Sequence, residues 1–308
     1  MDKKAVNFEG VFPILVTPFN EKDQVDHESL RKVVQFMVNI GVQGVTVLGV
    51  LGEANRMVDS ERREIIKTAV EAAQGKIPVV AGASNTGTAS TAALSVMAQK
   101  EGASAVMVAP HKEPVSNQQK IFEMYKHVSD SISIPIVVQD HPASTQVQMP
   151  VDLLLRLVDE VENVGCIKEE ATPTGQKLTA LFAGMQKRMV PVLVGLGALY
   201  GFFDLERGAA GFNTGFAFPE VLLAMVKAAK QGDMDRLFEI YTRFLPLIVY
   251  EQQPGLAVRK EIYRMRGLIA HNRVRHPGAT IDPETSEQLA KLLQRILPDK
   301  NLAQPVLV

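Results

Sequence analysis

Between residue 10 and about residue 230 the chain repeats one pattern eight times: a short apolar run, then a longer segment whose apolar positions follow a helical period. Short apolar runs of this kind read as strands buried on both faces, and strands joined by helices must run parallel. The runs are Val11–Val16, Val45–Leu48, Pro78–Ala81, Ala105–Val108, Ile134–Val138, Val164–Lys168, Val192–Gly195 and Ala209–Phe212. The first helix carries Leu30, Val33, Val34, Met37 and Ile40 on one face, with Asp26 as its N-cap. Ser60–Ala73 places Ile65, Ile66, Ala69 and Ala73 together and closes at Gly75, Gln118–Val128 follows the fourth strand, and Pro150 opens a further helix. Two architectures accommodate such repeats, an open doubly wound sheet and a closed (β/α)8 barrel. Eight units over about 250 residues favour the barrel. The residues after the first strand, Thr17-Pro18-Phe19, are also not the glycine-rich dinucleotide loop common in open sheets. Beyond residue 230 the strands stop; Asp233–Tyr250, Ala257–Arg266 and Thr285–Leu297 read as helices. The expected fold is an α/β protein: a (β/α)8 TIM barrel over residues 1–230, with a C-terminal helical appendage, residues 231–308, packed on it.

Composition narrows the function classes. With 33 basic against 34 acidic side chains and a net charge of −1, no basic surface remains to neutralise nucleic-acid phosphates or an anionic membrane. No run of ~18 apolar residues offers a membrane span. The start, MDKKAVNFEG, has no apolar core of a signal peptide. The single cysteine, Cys166, cannot close an internal disulfide and suits a reducing compartment. A soluble, cytoplasmic protein acting on a small molecule is expected.

In such a barrel, chemistry collects at the carboxyl ends of the strands. The sixth run ends Gly165-Cys166-Ile167-Lys168-Glu169-Glu170, and strand alternation puts Cys166, Lys168 and Glu170 on one face, Ile167 and Glu169 on the other. If Ile167 packs outward, Lys168 points into the barrel. Burial disfavours a charged amine, and a neutral amine attacks a ketone to form an imine. A strand-end lysine paired with a neighbouring glutamate is the plainer alternative. Cys166 would then be a pocket-wall residue. After the second run, Gly49-Val50-Leu51-Gly52-Glu53 permits a tight turn whose N–H groups converge on an anion, although an ordinary strand-to-helix turn has the same composition. Ser84 and Asn85 follow the third run, and Gln139-Asp140-His141-Pro142 the fifth; His141 is an acid–base candidate. Gly195 and Asn213, at the ends of the last two runs, complete the candidate binding set. The six histidines have no metal-ligand spacing, and neither a nucleophile elbow nor a phosphate loop is present.

Together, Gly10-Val11-Phe12-Pro13 with Thr17-Pro18-Phe19, Gly49-Val50-Leu51-Gly52-Glu53, Gly82-Ala83-Ser84-Asn85-Thr86, Ile167-Lys168-Glu169 and Val274-Arg275-His276-Pro277 resemble the dihydrodipicolinate synthase/N-acetylneuraminate lyase family. The resemblance runs from Gly10 to Pro277 and implies an imine between Lys168 and a 2-keto acid, with no separate cofactor or metal. It also implies a homotetramer or dimer. The family's proton relay uses a threonine and two tyrosines; here those positions hold Val50 or Leu51, the His111-Lys112 pair, and Gln139. The basic residue that synthases carry after the strand-five proline is missing from Pro142-Ala143-Ser144-Thr145-Gln146. The stretch Val138-Gln139-Asp140-His141-Pro142-Ala143-Ser144 is similar to that of the 2-keto-3-deoxy sugar-acid dehydratase branch. The resemblance therefore implies a class I lyase that dehydrates or cleaves a 2-keto-3-deoxy sugar acid. Lys168 would form the imine, the Val50 and Leu51 amides with Ser84, Asn85, Gly195 and Asn213 would bind substrate, and Glu170, His141 or Gln139 would stand in the place of the missing relay. Condensation of pyruvate with an aldehyde, a barrel that binds a 2-keto acid without turnover, and a metal-dependent aldolase are the alternatives.

Overall fold

The computed structural model describes residues 6–115, 117–298 and 300–306. Eight parallel strands form one sheet: β1 (Gly10–Val11), β2 (Val45–Val47), β3 (Val79–Gly82), β4 (Ala105–Val108), β5 (Ile136–Asp140), β6 (Val164–Glu169), β7 (Val192–Val194) and β8 (Gly211–Phe212). They run β1-β8-β7-β6-β5-β4-β3-β2. The remaining seam is closed by an isolated parallel bridge between Ile14 and Thr46. There the Leu15 N–H donates to the Thr46 carbonyl and the Thr46 N–H to that of Pro13. The sheet is thus a barrel, and the open-sheet alternative is excluded.

The helices follow the strands: α1 (His27–Ile40), α2 (Asp59–Ala73), α3 (Thr88–Lys100), α4 (Gln118–Ser131), α5 (Pro142–Thr145), α6 (Val151–Glu160), α7 (Thr174–Gly184), α8 (Gly201–Glu206) and α9 (Pro219–Lys230). Asp26 caps α1 as its sequence suggests, accepting from the Ser29 N–H. Four local expectations differ. The first run is a regular strand only over Gly10–Val11, paired with β8; on the β2 side Pro13 has no N–H to give, so the pairing there is broken. Helix α2 is closed by Gln74 in the left-handed region, one residue before Gly75. Pro150 stands just before α6 rather than within it, and α5 forms in what reads as a loop.

The core has two layers, and they decide which way the strand residues face. Inside the barrel, Phe12, Ile14, Val80, Ala105, Met107, Val137, Cys166 and Leu193 fill the bottom. Outside it, Ile167 and Val138 belong to the larger core between strands and helices. Ile167 therefore packs outward, and the alternation sends Lys168 inward.

After Lys230 come α10 (Met234–Tyr250), α11 (Gly255–Met265) and α12 (Pro283–Ile296). These helices are anchored by buried charges as well as apolar contacts. Arg266, fully buried, pairs with Glu220 of α9 at 2.5 Å. Lys260 of α11 reaches Glu53 in the loop after β2, also at 2.5 Å, with neither side chain exposed. No helix among the described residues is long and apolar enough to cross a membrane.

Candidate active site

Lys168 and Gln139 are register partners on β6 and β5, so both enter the barrel at the same height. Lys168 is 4 % exposed, and its Nζ lies 2.9 Å from Oε2 of Glu170. That oxygen also accepts from Gln139 Nε2 at 2.8 Å, and Oε1 accepts from the Leu196 N–H at 3.1 Å. His141 Nδ1 stands 3.9 Å from the same carboxylate and 2.7 Å from Ser144 Oγ. Lys168 is thus buried yet ion-paired: the expectation of a desolvated amine and the plainer reading of a paired strand-end lysine both hold part of the geometry.

Burial alone would raise the pKa of the Glu170 carboxyl, but Lys168, then His141 and Gln139, outweigh it and hold it below the ordinary carboxylate range. Glu170 is therefore an anion at neutral pH, an acceptor held within reach of an amine. His141 is shifted down, by burial first and by Lys168, against the opposing pull of Glu170 and Asp140. A lowered imidazole is neutral at pH 7 and can take a proton.

These groups line one small chamber of about 130 Å³ with Ile14, Val50, Leu51, Leu196, Gly197, Thr214, Gly215, Gln252 and Arg259. Val50 and Leu51 open a single 3-10 turn, Val50–Gly52. The first N–H groups of such a turn lack intrahelical acceptors, and neither has another partner among the described residues. Glu53 holds the turn in place. Its carboxylate binds Lys260, Arg56 and the Arg275 N–H, so the C-terminal helices brace the loop over the chamber.

Ser84 and Asn85 line an adjoining cavity of about 460 Å³, which meets the chamber at Val50 and Gln139 and also holds His111. They are one step from Lys168 rather than beside it. A larger cavity, about 960 Å³, lies over α4 and touches neither Lys168 nor Glu170; chemistry, not volume, marks the reactive chamber.

Three expectations need correction. Gly195 does not line the chamber: a side chain there would overlap the Glu170 carboxyl, so the glycine makes room for Glu170. Asn213 is buried in the barrel wall, donating to the Phe12 carbonyl and Thr46 Oγ1, and does not reach the chamber. Cys166 sits one layer below Lys168 in the apolar bottom, with its thiol pushed well up by burial. The reading of the residues also passed over Thr214, Gln252 and Arg259. Thr214 follows β8 and falls under the carboxyl-end rule. Arg259 lies on α11, and nothing local in sequence ties it to a barrel strand.

On the outer face of the same strand ends a second cluster stands behind the site. Lys177 of α7 is ion-paired with Asp140 and lies 3.8 Å from Glu169. Burial, then the nearby Asp140, pushes Glu169 up to about 8. Asp140 is also raised, by burial first. Asp140 Oδ1 and Glu169 Oε2 are buried without a hydrogen-bond partner, and one proton shared between the carboxyls would satisfy both. Among the described residues no three His, Cys, Asp or Glu side chains gather as a metal-ligand set.

Known proteins carry the same architecture. The model of the dihydrodipicolinate synthetase family matches residues 7–296. An L-2-keto-3-deoxyarabonate dehydratase of Azospirillum brasilense is 34% identical over 294 residues, covering 94% of each chain. The crystal structure of a dihydrodipicolinate synthase from Rhodopseudomonas palustris superposes with a TM-score of 0.89 at 32% identity, over 95% of this chain and 99% of that one. YagE, a prophage protein of E. coli K12 in complex with pyruvate, superposes with a TM-score of 0.86 at 26% identity, over 94% and 98%. With the family's pattern spanning nearly all of its length, this chain belongs to the dihydrodipicolinate synthetase family.

Proposed function

We propose that the protein is a class I lyase that removes water from a 2-keto-3-deoxy sugar acid through an imine on Lys168. One observation carries the reading: a buried lysine amine and an anionic carboxylate, 2.9 Å apart, at the carboxyl end of β6 in a small chamber. Glu170 takes a proton from the Lys168 ammonium. The free amine adds to the C2 ketone, and the carbinolamine hydroxyl leaves as water with the proton held by Glu170, so that a protonated imine forms and Glu170 is an anion again. That cation is an electron sink, so Glu170 can remove a proton from C3 to give the enamine. The enamine electrons then expel the C4 hydroxyl, which leaves as water after taking a proton from Glu170 or through His141. One water hydrolyses the unsaturated imine to release the product and restore the Lys168 amine. No separate cofactor enters this sequence. The substrate's C1 carboxylate is placed on the N–H groups of Val50 and Leu51.

Dehydration is favoured over aldol cleavage by the 34% identity to a dehydratase, and the absence of a basic side chain in α5 to grip a second carboxylate disfavours the synthase-type condensation. Incubation with a panel of 2-keto-3-deoxy sugar acids separates the outcomes. Dehydration yields a product one water lighter; cleavage yields pyruvate and an aldehyde. No consumption of any of them, with stabilisation on binding, leaves a binding barrel. We place the protein in the cytoplasm as a homotetramer or dimer, which sedimentation of the purified chain decides.

A further inference from the structure

We propose that Arg259, carried by the C-terminal helix α11, binds the hydroxyl-bearing tail of the substrate and so sets which 2-keto-3-deoxy acids the enzyme accepts. This rests on the imine reading above. Arg259 is 5 % exposed and lines the same chamber as Lys168 and Glu170. Its Nε donates to Glu251 Oε2 at 2.8 Å. Glu251 is itself fully buried, and its other oxygen takes the Ala217 N–H. Of the five N–H donors on an arginine this uses one. Nη1 and Nη2 have no hydrogen-bond partner among the described residues and neither is an enclosed orphan; Nη2 lies against Gly197 in the chamber wall and Nη1 against Gly255. A buried fork with idle donors is costly unless something polar visits it.

Position decides what that visitor is. The imine ties C2 to Lys168, and the C1 carboxylate is taken by the loop after β2. Two ways are then open to the tail, the adjoining cavity by Ser84 and Asn85 and the loops after β7 and β8, where Arg259 lies against Gly197, whose lack of a side chain leaves room for Nη2. Thr214 Oγ1 accepts from the Gly197 N–H at 2.7 Å and keeps its own hydrogen to give, and Gln252 shares the same wall. Arg259 is ion-paired with Glu251 at 2.8 Å, but burial pushes that carboxyl up to about 7, so the pair is neutral only above that pH. Above it, this end of the chamber offers donors without net positive charge, which suits hydroxyl oxygens better than a second anionic group.

The test compares wild type, Arg259→Met and the double variant Glu251→Gln/Arg259→Met, the last leaving no stranded carboxylate. Two readouts are taken: the half-saturation of borohydride trapping with pyruvate, which has no tail, and kcat/KM for 2-keto-3-deoxy aldonic acids. Loss of tail contacts is expected to lower kcat/KM roughly 10- to 100-fold, mainly through KM. Pyruvate trapping should stay within about twofold, since no contact with the reacting end is lost. Equal losses in both readouts, or none in either, overturn the assignment. Faster turnover of a substrate ending in a second carboxylate than of its hydroxylated counterpart overturns the choice of hydroxyls. A wild-type protein that traps no pyruvate overturns the imine reading itself, a result distinct from all of these.

Discussion

Replacing Glu170 by glutamine removes one negative charge and little else. The carbonyl of the new amide can still accept from the Leu196 N–H, as Oε1 does at 3.1 Å. The other half of the amide then points its N–H groups where Lys168 and Gln139 already donate, at 2.9 and 2.8 Å. At an effective dielectric near 20, the direct attraction lost over that lysine distance is ~6 kcal/mol. Part of it is returned because a buried carboxylate no longer has to be desolvated. Stranding one member of a buried pair costs on balance about 3–5 kcal/mol. For a chain of this size that lowers Tm by several degrees, visible in a thermal melt. The catalytic effect is larger, since a positioned acid–base group contributes roughly 10²–10⁴ in rate. The expected result is a kcat lower by that factor and a KM little changed, measured by steady-state loss of 2-keto-3-deoxy acid. Slow accumulation of the borohydride-trapped imine should persist, because Lys168 is still present. A Glu170→Gln enzyme with close to wild-type kcat refutes the assignment of Glu170 as the proton carrier.

Other consequences are equally open to measurement. A side chain at Gly195 overlaps the Glu170 carboxyl, so Gly195→Ala should lower kcat about as far as Glu170→Gln while the far-ultraviolet circular dichroism stays native; full activity contradicts the packing. Glu169, pushed up to about 8 from an ordinary 4.5, keeps its proton in the fold where the unfolded chain has lost it. The native state then binds more protons between those values, and stability falls as pH rises from 4.5 to 8. Glu169→Gln, which retains a donor towards Asp140, should flatten that decline and melt higher than wild type at pH 8; an unchanged pH slope excludes the shared proton. Cys166 is buried with its thiol shifted well up. Iodoacetamide should leave it unmodified in the native protein and label it after denaturation, and rapid native labelling would place it in an open pocket instead.

Much of the barrel is legible because its information is local. Ala105–Val108 and Val164–Lys168 are apolar runs between helical segments, and they form β4 and β6 within a residue of their expected ends. The inward aim of Lys168 follows from the outward packing of Ile167, a property of alternation alone. What escaped depends on tertiary position. Gly195 and Asn213 satisfy the carboxyl-end rule, yet one makes room for Glu170 and the other pins Phe12 and Thr46 inside the wall. No spacing distinguishes a glycine that touches substrate from one that lets a neighbour do so. Arg259 reaches the chamber only because α11 docks over it, through Lys260 and Glu53, which are 207 residues apart.

An imine on Lys168 is the step from which the rest follows, and borohydride reduction in the presence of pyruvate tests it most directly. The intact mass should rise by one pyruvic acid less one oxygen atom, peptide mapping should place the increase on Lys168, and Lys168→Ala should show neither the adduct nor turnover. An unmodified wild-type protein under saturating pyruvate, an adduct on another lysine, or a Lys168→Ala variant that still consumes substrate contradicts the mechanism.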